Sequence, residues 1–143
     1  MSYMPPRLTE IVEDFGFVEG MEKLEYLLEF AESLPPLPER LLEKRGDMQE
    51  IHECMTPVFV HGERNADGTM HYYFDAPAQS PTVRGFAGIM MEGINDVAQP
   101  AQILEIPELF YQATGLPRVL SGQRMRGMSV FLSYMKRIAE QYV

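Results

Sequence analysis

The 143-residue sequence contains no tryptophan, one cysteine and three histidines. A lone thiol, Cys54, excludes an intrachain disulfide framework, and so few His and Cys ligands argue against a closed zinc site. Basic residues are also scarce: 12 Lys+Arg stand against 21 Asp+Glu, a formal charge of -9 with a pI near 4.8. That balance argues against a nucleic-acid surface, which depends on cationic contacts to phosphate. No apolar run approaches the roughly 18 residues that span a bilayer, so no membrane helix is expected. Met1-Ser2-Tyr3-Met4-Pro5-Pro6 lacks the basic start and apolar stretch of a secretory signal. These absences lead to the expectation of a soluble, cytoplasmic protein in a reducing compartment.

What is present suffices for a core. Hydrophobic residues make up 45% and charged residues 23%, with a mean hydropathy of -0.18. The length suits one domain over residues 1–143, large enough to bury about two-thirds of its unfolded surface without a metal or disulfide. Charge is unevenly placed. Residues 1–54 hold 13 acidic and 5 basic side chains, a net of -8, whereas residues 55–143 hold 8 and 7. The last segment is locally basic, with Arg118, Arg124, Arg126, Lys136 and Arg137 against Glu140. An acidic and a basic face on one small domain can orient it against a partner.

Periodicity gives the elements. Leu8, Ile11, Val12 and Phe15 repeat at helical spacing after Pro5-Pro6. Leu24, Leu27, Leu28, Ala31 and Leu34 mark a second helix, with Glu22, Glu25, Glu29 and Glu32 off its stripe. Pro35-Pro36-Leu37-Pro38 ends it. The polar stretch 39–53 reads as a short helix and a loop. After Cys54 the period becomes two. Val58, Val60 and Gly62 alternate with Phe59, His61 and Glu63, and Met70, Tyr72 and Phe74 with His71, Tyr73 and Asp75. Asp67-Gly68 supplies turn chemistry between the two strands. Val83, Phe86, Ile89, Met90 and Ile94 predict a buried helix whose Gly85, Ala87, Gly88 and Gly93 permit close packing. Short helical pieces follow at 100–104 and 107–114, the latter closed by Gly115. Ser121 opens a last helix carrying Met128, Phe131, Leu132, Met135, Ile138, Ala139 and Tyr142 on one face. Helices, an antiparallel hairpin, then helices again predict an α+β fold: a small antiparallel sheet covered by N- and C-terminal helices.

Chemistry concentrates at Cys54, which precedes the first hairpin strand. Its reactivity depends on the thiolate fraction, from an ordinary pKa of about 8.5 that a nearby cation would lower. His52, Arg84, Arg124 and Arg126 are the candidates for that cation. A Cys54–His52 hydrolase would need a third group to orient the base, and none stands at recognisable spacing. His61 and His71 fall on the two strands as possible cross-strand neighbours, most simply on an exposed face. No Gly-rich phosphate loop is present, since Gly85–Gly88 lies in a helical pattern with no following Lys-Ser/Thr. Met90, Met128 and Met135 sit on helix stripes as core filler.

Taken in order, these features carry a resemblance. An acidic helix ends in Leu34-Pro35-Pro36-Leu37-Pro38, and a single Cys then precedes a Val-Phe-Val strand. A hairpin follows, and Val83-Arg84-Gly85 opens an apolar helix. Leu120-Ser121-Gly122-Gln123-Arg124-Met125-Arg126-Gly127 introduces the last one. Over nearly its whole length the chain resembles the SufE/CsdE family of sulfur acceptors in iron–sulfur cluster assembly. Where family members typically carry Gly-Cys-Gln-Ser-Gln-Val, this chain has Glu53-Cys54-Met55-Thr56-Pro57-Val58. The family's Ser-Arg-x-x-Gly appears as Gln123-Arg124-Met125-Arg126-Gly127. The resemblance implies a SufE-like fold and Cys54 as the residue that takes persulfide sulfur from a PLP-dependent cysteine desulfurase, stimulating that enzyme. An iron–sulfur scaffold protein would then receive the sulfur. Arg124 and His52 are the supporting residues, and PLP belongs to the desulfurase, so no cofactor is expected on this chain. A desulfurase-binding regulatory module on the same fold, without sulfur acceptance, is the alternative. The Glu53 carboxylate beside the thiol would disfavour the thiolate.

Overall fold

The computed structural model describes residues 2–54 and 56–143. The element order is α1 (Pro6–Gly16), α2 (Met21–Glu32), α3 (Glu39–Leu42), β1 (Gln49–Glu50), β2 (Phe59–Arg64), β3 (Met70–Asp75), α4 (Pro81–Ile94), α5 (Pro100–Leu104) and α6 (Gly122–Glu140), with short 3₁₀ turns at 45–47, 110–114 and 116–118. The α+β class is as expected, and the sheet is antiparallel in the order β1-β2-β3.

The hairpin register is fixed by its hydrophobic alternation. Val60 faces Phe74 and Gly62 faces Tyr72, so Val60, Gly62, Met70, Tyr72 and Phe74 all point inward. The intervening turn rests on Gly68 at φ 94°, and Asp67 Oδ1 accepts from both the backbone and the hydroxyl of Thr69. The third strand, β1, is an addition to the expected hairpin. It is two exposed polar residues long, too short to show a period, and pairs Gln49 with Val60 and Glu50 with Phe59. On the other side of the sheet, the residues after α4 close the edge. The Asn95 side chain both accepts from the Tyr72 amide (2.7 Å) and donates to the Tyr72 carbonyl (3.0 Å), standing in for a fourth strand.

Helix α4 is buried along most of its length and packs against α1, α2, β3 and α6. Its small residues set the spacing. A Cβ at Gly85 would lie 2.6 Å from Leu27 Cδ1, one at Gly88 would press into the Phe30 carbonyl, and one at Gly93 would lie 2.8 Å from Leu8 Cδ1. Helix α6 covers the sheet: Tyr72 Oη donates to the Met135 carbonyl at 2.7 Å, and the Phe74 and Phe131 rings lie 5.1 Å apart. Gly62 is the crossing point, since a Cβ there would come within 2.7 Å of Ile138 Cγ2.

The inward face of α2 is rotated from the expected stripe. Phe30 is buried and Leu28 is 41% exposed, because the neighbour is the glycine face of α4 and the Phe15–Tyr26–Phe30 ring cluster fills the space beside it. Lys23 is buried as well. Its Nζ donates to the carbonyls of Phe15 (2.6 Å) and Thr114 (2.7 Å), closing the end of α1 and of the 3₁₀ turn at 110–114 with one ammonium group. Glu22, Glu25, Glu29 and Glu32 are exposed, so the acidity of this helix is a solvated face.

The close approach at Gly88 generates a prediction. Gly88→Ala meets backbone that cannot rotate away, so α2 and α4 must separate. A destabilisation of about 1–3 kcal/mol is expected in urea unfolding, despite the better helix propensity of alanine.

Candidate functional site

The site is built on the segment 51–58 that joins β1 to β2. Its mouth is held by the Ile51 amide donating to the Val58 carbonyl at 2.8 Å, and both side chains are buried. At its start the chain turns over residues 51–54, with the Cys54 amide reaching the Ile51 carbonyl at 3.4 Å. Cys54 is half-buried and packs against the main hydrophobic core. Burial is the larger cause of a raised thiol pKa, and the adjacent Glu53 carboxylate adds to it. Among the described residues no cation offsets either effect, so the thiol is kept protonated at neutral pH.

The expected cations lie elsewhere. His52 is solvent-exposed, its Nδ1 lying 3.7 Å from Glu50 Oε2. Arg84 donates to the Ala76 carbonyl at 2.9 Å, tying the start of α4 to the end of β3. Arg124 stands exposed in the first turn of α6, where its backbone amide bonds to the capping Ser121 hydroxyl at 3.2 Å. Arg118, Arg124 and Arg126 have no carboxylate partner among the described residues. Arg118 and Arg126 flank an open cleft of about 610 Å³ between the 3₁₀ turns and α6. In a chain of net charge -9, Arg124 and Arg126 in the first turns of α6 and Arg118 in the 3₁₀ turn before it gather cationic groups at the start of this helix.

What the sequence did not reveal is the tether on the loop. Tyr134, in the middle of α6, donates its hydroxyl to Glu53 Oε1 at 2.6 Å. That bond, ahead of the charges of Arg137 and His52, lowers the Glu53 pKa, and its counterpart raises that of Tyr134. Arg137 lies over the Tyr134 ring, 4.7 Å from its centroid. The only sequence signal was a polar-ended aromatic beside the α6 stripe, one helical turn before an arginine; its partner lies 81 residues away.

The two strand histidines are not opposite one another. His61 faces Tyr73 and His71 faces Glu63, placing the imidazoles diagonally, each with its own carboxylate: Glu63 at 3.3 Å and Asp96 at 2.8 Å. Among the described residues no group of three or more His, Cys, Asp or Glu could hold a metal ion.

The chain, taken over most of its length, matches a known family. The family model described as "SufE: Fe-S metabolism associated domain" covers residues 9–139. The chain belongs to the SufE family. An uncharacterized SufE-like protein of Mycobacterium tuberculosis is 44% identical over 94% of this chain and 92% of its own length. Another, from Synechocystis, is 30% identical over 87% of this chain and 74% of that protein. The solution structure of a hypothetical protein from Thermus thermophilus superposes with a TM-score of 0.84 at 32% identity, covering 97% of both chains. The SufE fold is therefore established here, and with it an association with iron–sulfur metabolism. In this SufE-family chain no helix among the described residues is long and apolar enough to cross a membrane.

The raised thiol pKa has a direct consequence. Iodoacetamide alkylation of Cys54 is expected to rise with pH through a midpoint above the free-cysteine value of about 8.5. At pH 7 it should be slow compared with free cysteine, as read by intact mass.

Proposed function

We propose that this SufE-family protein is a cytoplasmic sulfur acceptor for a PLP-dependent cysteine desulfurase. It stimulates that enzyme by removing its persulfide sulfur and carries the sulfur to an iron–sulfur scaffold. The observation that carries this reading is the position of Cys54: the sole thiol, on a loop anchored at Ile51 and Val58, with its side chain half-buried against the core. The chemistry is thiol exchange. The Cys54 thiolate attacks the outer sulfur of the desulfurase persulfide, a new S–S bond forms at Cys54, and the bond to the desulfurase cysteine breaks. That cysteine leaves as a thiolate, and Cys54 holds the transferred sulfur as a persulfide. No external oxidant or reductant enters, because the sulfur moves with its oxidation state unchanged. PLP remains on the desulfurase.

The sheltered setting fits a carrier. A persulfide reacts readily with other thiols, and a half-buried position limits such side reactions until a scaffold docks. The guanidinium groups of Arg118, Arg124 and Arg126, without a carboxylate partner among the described residues, offer a docking surface to an acidic partner. Arg124 is the supporting residue in this scheme, steering the partner or stabilising sulfur anion as it develops. His52, exposed beside Glu50, contributes positive charge near the loop when protonated.

One observation favours a second reading. The Cys54 pKa is raised by burial and by Glu53 with no compensating cation among the described residues, as suits a module that binds the desulfurase but accepts no sulfur. Incubation with a cysteine desulfurase and L-cysteine separates the two. Sulfur acceptance adds about 32 Da at Cys54, and Cys54→Ser abolishes both the added mass and the gain in desulfurase turnover. Equal stimulation by Cys54→Ser would establish the binding module instead.

A further inference from the structure

We infer that Tyr134, steadied by Arg137, is a positioning residue that holds the Cys54 loop in its sheltered form through Glu53, and that a cationic side chain of the docking partner releases it by taking over Glu53. This rests on the reading of Cys54 as the group presented to a desulfurase, and adds how that presentation is controlled.

The contacts supply the argument. Glu53 immediately precedes Cys54 and accepts a 2.6 Å hydrogen bond from Tyr134. The residue next to the thiol is thus bound to a fixed point on α6. Tyr134 is buried at 4% exposure and cannot follow the loop outward, because its helix is fixed on both sides by Phe131 and Met135 in the core. Arg137 holds the ring from its outer side. Glu53 itself is exposed, so a partner reaches its carboxylate without first opening the fold.

The sheltered loop is also imperfectly satisfied. The Thr56 hydroxyl is buried with no hydrogen-bond partner among the described residues, which penalises this conformation and is relieved when the loop moves out. The tether and the orphaned hydroxyl oppose each other, as a releasable loop requires. A guanidinium or ammonium outcompetes a neutral phenol for a carboxylate, since charge-assisted hydrogen bonds are the stronger. Once Glu53 is paired to a cation, the loop is free of α6. The same event neutralises the negative charge beside Cys54, so one contact both exposes the sulfur and favours its thiolate.

Alkylation of Cys54 by iodoacetamide, followed by intact mass on the full chain, tests both halves. Tyr134→Phe keeps the ring and its stack under Arg137 but removes the donor; Glu53→Gln removes the charge. Both are expected to alkylate about threefold faster than wild type or more. Amide hydrogen exchange should quicken across 51–58 but not across α6. No acceleration in either variant, or an equal quickening of exchange throughout α6, overturns the tether. Adding desulfurase without cysteine should accelerate alkylation of the wild type and add little for Glu53→Gln. An absent effect on wild type, or an equal one on Glu53→Gln, overturns release through Glu53. If the variants alkylate faster yet no protein in the set gains sulfur when cysteine is supplied, the tether stands and sulfur acceptance fails.

Discussion

The close seat of α2 on the glycine face of α4 governs the remaining geometry. Gly85 and Gly88 bring the backbone of α2 to within a distance that no side chain would allow, and Gly93 does the same for α1 at Leu8. With those two helices drawn in on one side, α4 is left with its other faces for β3 and α6. Placing β3 against α4 places the hairpin, and laying α6 across the hairpin at Gly62 sets which residue of α6 lies beside the β1–β2 loop. That residue is Tyr134. The environment of Cys54 is thus decided by packing that involves neither Cys54 nor its neighbours in sequence.

This arrangement separates rigid from adjustable parts. The hairpin, α4 and α6 share one core cluster, while the loop 51–58 is anchored there through Ile51, Val58, the half-buried thiol and the bond from Tyr134 to Glu53. A nucleophile held this way can be kept protonated by burial and by an adjacent carboxylate, then changed by a local event without cost to the fold. Charge follows the same division. The acidic residues of α2 lie on a solvated outer face, and Arg118, Arg124 and Arg126, with no carboxylate partner among the described residues, lie around the start of the helix that also holds the loop.

Much of the fold was legible because its signals are local. The helical stripes of α1, α4 and α6, the Asp67-Gly68 turn and the alternation of β2 and β3 each arise from neighbours in sequence. The SufE resemblance rested on the order of such signals. Features that failed to show in the sequence share a different physics. Two exposed residues, Gln49 and Glu50, carry no period, and become a strand only because β2 offers them an edge. The side of α2 that faces inward depended on the shape of α4, which buried Phe30 and Lys23 and left Leu28 out. His61 and His71 were placed on strands correctly, yet their pairing required the register, which put a carboxylate beside each instead.

Covalent order is enough to establish that there is one thiol, that it precedes the first long strand, and that a carboxylate stands immediately before it in the chain. Periodicity, written residue by residue, is likewise enough for the α+β class. How the thiol is held is a matter of three-dimensional packing. The bond from Tyr134 to Glu53 joins residues 81 positions apart. Half-burial against the core, and the lack of a cation beside the thiol among the described residues, depend on which helix lies across which strand, and no local pattern encodes that.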